Sequence, residues 1–574
     1  MRWPFGDQYP ERRPEEAHAR SYDYVVIGAG TAGCALASRL SEDPNVTVLV
    51  LERGPANDTW MSRIPLASSN ILRADGGATS WNCEPMRACD DRRSLVFRAE
   101  VMGGGSRINS MVYTRGSAAD YDDWAALGHP DWSYEKVLPY FVRSEKTLDQ
   151  PKFTDCAEAM GFIRISDTNA PDAPADGVAT LDTTVSENNQ RVSTFDAFLP
   201  REVALSREKT LTICTKTIVS RIKFSGQEKG DLRAEEVIFK SADPKAKELF
   251  TAKVKKEVIV CSGSLGSPQV LMLSGIGPRA HLEEHGIEVV RDLPGVGSNL
   301  TDHIGIPVAW EVPLKESLAM VSTSPMLQGV VEFFKYLFFR TGVLAIPIQT
   351  LSLFVRMTSL SADGTELHRD VPHQAPQSDP PRSRIPDIEL MPLATSAMDN
   401  IEEHFRRFSK IGVFSILATV LQPASRGTVR LASTNLHDKP AVEFGILSAP
   451  SDLPTARAAV RLSLKLGDAM KAAGFPILRN LTFNPASQED SAAQSTEELD
   501  KFIRERARTT YHYACSCRMA PEDNLGVVDD KLRVHGLRNV RVCDTSVFPK
   551  ITSSHLQAPA VMVAERCAEF AKES

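Results

Sequence analysis

The sequence predicts an α/β fold: a Rossmann-like nucleotide domain assembled from separate pieces of chain, plus an α+β domain with an antiparallel sheet. Three observations predict it. A strand, glycine loop, helix and second strand occupy residues 22–52. A further strand, loop and helix close the chain between 540 and 574. The stretch between them returns to strand-like alternation of apolar and polar residues.

Tyr24-Val25-Val26-Ile27 is a short β-branched apolar run, the pattern of a buried parallel strand. It runs into Gly28-Ala29-Gly30-Thr31-Ala32-Gly33, a G-x-G-x-x-G loop, and then a helix whose Ala35, Leu36 and Leu40 face a sheet. Gly28 permits the tight turn, Gly30 lets the backbone approach a pyrophosphate, and Gly33 lets helix and strand pack closely. Free N–H groups at the helix start meet the phosphate charge. Val46–Leu51 is the second strand, and Glu52 ends it, 19 positions after Gly33. An acid there accepts hydrogen bonds from a ribose diol and repels a 2′-phosphate, which disfavours a phosphorylated nicotinamide cofactor.

The next elements follow in chain order. Residues 1–20 are charged and predict a flexible tail. Residues 90–116 hold a Gly-rich segment, Val101 to Asn109, which predicts a loop entering a helix. Helices are expected over Asp120–Leu127 and Tyr134–Phe141, a hairpin from Leu211–Thr215 and Ile218–Phe224, and a buried strand at Glu257–Cys261. Residues 360–386, rich in Pro, Ser, Asp and His, predict a surface loop. It is not read as a metal site, because His368 and His373 lack thiol partners. Apolar residues at helical spacing span 453–472. Val540–Cys543 is a strand, and a helix starts near Pro559.

Bulk properties exclude several classes. With 574 residues, 42% hydrophobic and 24% charged, the chain has the balance of a soluble protein of two or more domains. A net charge of −7 gives no support to nucleic-acid binding, and no apolar run is long enough for a membrane span. The charged N-terminus lacks a signal-peptide core. The ten cysteines fit buried thiols rather than a disulfide framework, and the sequon at Asn45 falls inside the nucleotide unit. A cytoplasmic location is expected. No metal site is expected.

Two histidines stand out near the C-terminus. His512 lies in Tyr511-His512-Tyr513-Ala514-Cys515-Ser516-Cys517, and His555 lies 43 positions later, just before the final helix and its positive end.

With these motifs assembled, the chain resembles the glucose–methanol–choline (GMC) oxidoreductases, FAD enzymes. The resemblance rests on the N-terminal fingerprint, on Arg98 to Asn109 as the first family signature, and on Gly263 to Gly277 as the second. Leu293 to Leu300 with Asp302-His303, and Ser425-Arg426-Gly427, also match, and together these run from about 22 to 568. The resemblance implies an FAD-binding domain from 21–116, 200–309 and 506–574, and a substrate-binding domain from 117–199 and 310–505. It assigns Thr31, Ala32, Glu52 and Arg53 to the adenosine half, and the backbone at Val219 to the adenine. Val101, Gly104 and Asn109, Ser110, Met111 and Val112 fall to the flavin, and Asp544, Thr545, Gln557 and Ala558 to the pyrophosphate and isoalloxazine. His512 matches the general base and His555 the second active-site residue. Trp81 either packs on the flavin side or is an ordinary core residue, and His303 is read as structural.

The activity implied is oxidation of an alcohol on a small organic molecule, such as a secondary-metabolite intermediate. His512 would take the hydroxyl proton, hydride would pass to flavin N5, and oxygen or another acceptor would receive the electrons. The alternative is an FAD-containing lyase or cyclase of the same fold. The chain departs from the family pattern at Ala99, Glu100 and Gly105, and beside the base at Cys515 and Ser516. Glu100 changes the local charge, and Cys515 could narrow the pocket or be redox-sensitive. Phe333, Phe334, Tyr336, Phe338 and Phe339 suggest either an apolar entrance or a packed helix.

Overall fold

Val25, Val26, Val48, Leu49 and Val50 are fully buried, as strands covered on both faces require. The structure is a computed structural model describing residues 9–69, 77–144, 155–226, 232–319, 327–361, 363–368, 372, 378–398, 401–408, 410–483 and 494–574. Its first sheet runs Leu211–Cys214, Val48–Leu51, Ser21–Ile27, Phe250–Val260, Arg233–Ser241 and Thr217–Ser225. Phe250–Val260 serves three ladders. Its start pairs antiparallel with Arg233–Ser241, and its end pairs parallel with both Ser21–Ile27 and Val540–Val542. The C-terminal piece therefore completes the nucleotide sheet. Helices Thr31–Leu40 and Gln557–Lys572 pack against each other on it.

Glycine is required at the first turn. Gly28 has φ of +100°, and a Cβ on Gly33 would sit 2.0 Å from the Gly28 carbonyl oxygen. The expected hairpin of Leu211–Thr215 with Ile218–Phe224 does not form. Leu211–Cys214 pairs parallel with Val48–Leu51 at one end of the sheet, and Thr217–Ser225 pairs with Arg233–Ser241 at the other. Residues this close in sequence read as a hairpin, but both strands stay beside Glu52, whose N–H donates to the Cys214 carbonyl and whose carbonyl accepts the Thr217 N–H, and the second strand turns away to pair with Arg233–Ser241.

The second sheet is almost wholly antiparallel and is centred on Ile304–Val312 and Gly412–Val420, the latter buried at all nine positions. Ile388–Leu393, Leu351–Val355 and Gly177–Thr180 extend it, and helix Asp452–Ala472 packs across it.

Several domain expectations shift. Ile304–Val312 is a strand of the second sheet, so that sheet begins before residue 310. Helices Ala118–Ala126 and Tyr134–Arg143 bury Tyr121, Trp124, Val137 and Phe141 in the core of the nucleotide domain, not the second. The tail is anchored from Tyr9. The Tyr9 hydroxyl donates to the Leu199 carbonyl at 3.1 Å, and the one-turn helix Pro14–Ala17 buries Ala17. Residues 1–8 lie outside the described residues. The Gly-rich segment forms a single 3-10 turn, Gly104–Arg107, and the next helix waits until Ala118. Of 360–386, the described residues include a 3-10 turn at Pro381–Arg384; His373 lies outside them.

Helix Leu327–Phe339 answers the aromatic question in two ways. Tyr336 is fully buried beside Ile64 and Ala345, whereas Phe334, Phe338 and Phe339 are 48%, 68% and 74% exposed. No helix among the described residues is long and apolar enough to cross a membrane.

Candidate active site

Strand Arg508–Thr509 pairs with Ile304 and Gly305, which places Thr509–His512 beside Asp302 and His303. Asp302 accepts the His512 backbone N–H at 2.9 Å and the Thr509 hydroxyl, and the Thr509 hydroxyl oxygen accepts the Tyr511 N–H at 2.8 Å. These contacts hold Tyr511 in the left-handed region, φ +65°, a costly conformation for a bulky residue. Burial pushes the Asp302 carboxyl up to about 6.

The His512 ring lies against two other imidazoles. Its centroid is 4.8 Å from that of His555 and 5.1 Å from that of His303, both near perpendicular, and His303 Nδ1 is 2.9 Å from His512 Nδ1. Burial first, then the neighbouring imidazoles, hold His512 well below the usual histidine range. His555 Nε2 faces Glu389 Oε1 at 3.1 Å, and that oxygen also accepts the Ser352 hydroxyl at 2.6 Å. Glu389 is fully buried on strand Ile388–Leu393. Burial opposes its charge, but the His555 and Ser352 hydrogen bonds outweigh it and hold the carboxyl below the ordinary range.

One cavity of about 920 Å³ joins this cluster to the glycine loop, near the top of the roughly 300–1,000 Å³ usual for small-molecule sites. Of the expected residues, Gly28, Gly30, Thr31, Ala32, Glu52, Arg53, Val101, Gly104, Asn109, Ser110, Val112, Val219, Asp544, Thr545 and Gln557 line it with His512 and His555. Gly33, Trp81, Met111 and Ala558 do not. Gly33 serves helix packing, and Met111 and Ala558 are fully buried. Trp81 is a correction. Its indole N–H donates to the Pro440 carbonyl, and Arg98 and Lys439 each lie 5.7 Å from its ring.

The lining suits a dinucleotide. Helices Thr31–Leu40 and Gln557–Lys572 both start at this cavity without a side-chain cap, so their first N–H groups and positive ends face it. Glu52 accepts N–H groups from Ala29 at 2.7 Å and Gly54 at 2.8 Å, keeping a second lone pair on each oxygen for a diol; burial raises its pKa. Asp544 accepts from the Gly263 N–H, the Ser267 hydroxyl and the Ser546 N–H, which fixes the start of helix Gly263–Leu273. Asn109 donates to Gln557 at 2.6 Å and accepts from the buried Arg191 at 2.8 Å.

Glu100 meets Arg98, Arg53 and Lys439. Burial opposes its charge, yet those cations bring its carboxyl down to about 2. Cys515 neither narrows the cavity nor offers a reactive thiol: it is buried outside the lining, and burial pushes it up to about 11. Among the described residues, His281, Glu284 and His285 group as three possible metal ligands. His281 Nε2 accepts the Leu431 N–H and His285 Nδ1 faces the His281 carbonyl, which leaves one nitrogen on each ring, and His281 Nδ1 lies 3.9 Å from the Glu284 carboxylate.

Comparison with known proteins agrees with this geometry. The N-terminal GMC oxidoreductase profile matches residues 22–305 and the C-terminal one residues 423–564. The chain belongs to the GMC oxidoreductase family. An oxygen-dependent choline dehydrogenase of Pseudomonas fluorescens (strain SBW25) is 33% identical, covering 96% of this chain and 94% of that protein. One from Burkholderia vietnamiensis is also 33% identical, covering 96% and 93%. An FAD-dependent oxidoreductase from Chaetomium thermophilum superposes with a TM-score of 0.80 at 26% identity, covering 96% and 99%. A formate oxidase shares the fold, with a TM-score of 0.81 at 24% identity over 97% and 99%.

This GMC protein is thus an FAD-dependent oxidoreductase acting on CH–OH donors. Its sequence reading passed over Glu389, Arg191 and the contact of His303 with His512. Glu389 sits in an otherwise apolar strand, and no local spacing marks it.

Proposed function

We propose that the protein oxidises a small, uncharged and largely apolar alcohol, with His512 as base and His555 as the second active-site group. The observation that carries this is the pair of imidazoles 4.8 Å apart in the cavity that also reaches the glycine loop. Bound FAD would supply the two-electron acceptor at flavin N5 and pass the pair on to oxygen or another acceptor. His512, kept neutral by burial, takes the hydroxyl proton. His555, braced by Glu389, holds the substrate oxygen.

The relatives named choline dehydrogenase raise a specific alternative. A quaternary ammonium calls for a carboxylate or an aromatic cage. The acids lining the cavity are Glu52, Glu100 and Asp544. Glu52 ends the second nucleotide strand, Glu100 is taken up by cations, and Asp544 is taken up by N–H and hydroxyl donors. The second sheet contributes Met391, Leu393, Val413 and Leu417, joined by Leu344 and Ile348. Of the Phe and Tyr residues lining the cavity, Phe97 and Tyr513 each pack edge-on against Tyr511, Arg508 lies 5.9 Å from the Tyr511 ring, and Phe408 is the fourth. Arg508, four residues before the base, adds a buried positive charge that repels a cation. An apolar intermediate of secondary metabolism fits this lining, and nine buried free thiols among the described residues support a cytoplasmic reading.

In steady-state assays, uncharged aryl or aliphatic alcohols should exceed choline in kcat/KM by roughly 10-fold or more, the scale of a lost or misplaced contact. Preference for choline would overturn the substrate class. The pH profile offers a second check. A base works unprotonated, so activity is present above its pKa and lost as pH falls through it. With His512 held well below 6.5, kcat/KM should stay flat down to pH 6.5 and decline only on further acidification. A decline centred above 6.5 would contradict the burial argument.

A further inference from the structure

Two buried groups form a chain behind the base. The Thr552 carbonyl oxygen is 3.0 Å from His303 Nε2, and His303 Nδ1 is 2.9 Å from His512 Nδ1. Thr552 is fixed in turn. The next residue, Ser553, donates its N–H and hydroxyl to Asp120 at 3.0 and 2.6 Å. His303 is fully buried, so no solvent competes for either ring nitrogen.

A carbonyl oxygen only accepts, so His303 Nε2 must carry a hydrogen. A neutral imidazole carries one, which leaves His303 Nδ1 as a bare lone pair. The 2.9 Å contact is then a hydrogen bond only if His512 Nδ1 is the donor. A neutral His512 that spends its hydrogen on Nδ1 has an unprotonated Nε2. The opposite arrangement needs His303 as a buried imidazolium, and burial pushes its pKa down to about 4.

We propose that His303 is a positioning residue that, held by the Thr552 carbonyl, locks His512 in the tautomer whose Nε2 is free to take the substrate proton. The inference rests on the reading of His512 as the base. It gives the Asp302-His303 dipeptide two tasks: Asp302 holds the backbone of the base and His303 chooses its proton-bearing nitrogen. The chain also ends at a carbonyl, which cannot take up a proton. The hydrogen on His512 Nδ1 therefore stays there through turnover, and the proton gained at Nε2 leaves from Nε2.

The test uses the FAD-loaded protein. In His303→Leu, a His512 Nδ1–H would be buried without an acceptor, so the balance moves to the Nε2-protonated tautomer, which cannot take the substrate proton. A catalytic imidazole in the wrong tautomer costs up to roughly 10⁴-fold in rate. We expect kcat to fall by roughly 10²-fold or more with KM and FAD content little changed. His303→Asn, whose side-chain oxygen can replace Nδ1 as acceptor, should recover most of the loss. Nitrogen-15 NMR of histidine-labelled wild type gives an answer that needs no variant. The His512 resonance, assigned by its loss in His512→Ala, should show a protonated Nδ1 and a bare Nε2. A protonated Nε2 in wild type would overturn the proposal, as would full activity in His303→Leu beside an inactive His512→Ala. Full activity in His512→Ala would overturn the base assignment itself and this inference with it.

Discussion

Replacing His512 by Ala abolishes measurable turnover, a loss of at least the roughly 10²–10⁴-fold that a positioned base contributes, while FAD stays bound. The cofactor should survive because its expected contacts are independent of the imidazole. The glycine loop and Glu52 are held by backbone N–H groups away from His512, and Gln557 at the start of the last helix by Asn109. The variant should also lose some stability. His303 Nδ1 would be left as a buried acceptor without its donor, a cost of about 1–3 kcal/mol. Flavin absorbance of the purified variant, its melting temperature and its turnover with the best alcohol check these three expectations separately. Wild-type turnover would remove His512 from the chemistry.

The second large effect is on folding. His555→Ala leaves the Ser352 hydroxyl as the remaining hydrogen-bond partner of Glu389 among the described residues, and Glu389 is a fully buried carboxylate whose Oε2 already has none. Leaving a buried group short of a hydrogen-bond partner costs about 1–3 kcal/mol, and more when that group is charged. The sign with pH follows from the acid. Without His555, burial raises the Glu389 pKa above its unfolded value, so the neutral acid forms as pH falls. The defect should be largest at neutral pH and shrink on acidification, and Glu389→Gln in the same background should reverse much of it. Denaturant unfolding at two pH values measures this. A pH-independent loss, or none, would show that Glu389 does not depend on His555.

What could be read in advance was local. Gly28, Gly30, Thr31, Ala32 and Glu52 are set by short-range spacing and line the cavity as that spacing implies, while Gly33 packs on the Gly28 turn. The long-range partners were not visible. His303 reaches His512 across 209 positions and Thr552 across 249, so its sequence context alone suggested a structural residue. Arg191 braces Asn109 from 82 positions away. Trp81 was uncertain for the same reason: its partners Lys439 and Pro440 lie in a distant hairpin. Amphipathic spacing in the helices after residue 117 says that a face is buried, not against what, and only the structure shows Tyr121, Trp124, Val137 and Phe141 in the first core.

The central claim is that one cavity brings an alcohol, a flavin and the His512–His555 pair together. Anaerobic mixing of the purified protein with an uncharged apolar alcohol tests it most directly. The account predicts a yellow protein whose flavin band bleaches rapidly in wild type and does not bleach on that timescale in His512→Ala. A colourless protein that cannot be reconstituted with FAD, or equal bleaching in both, would contradict it.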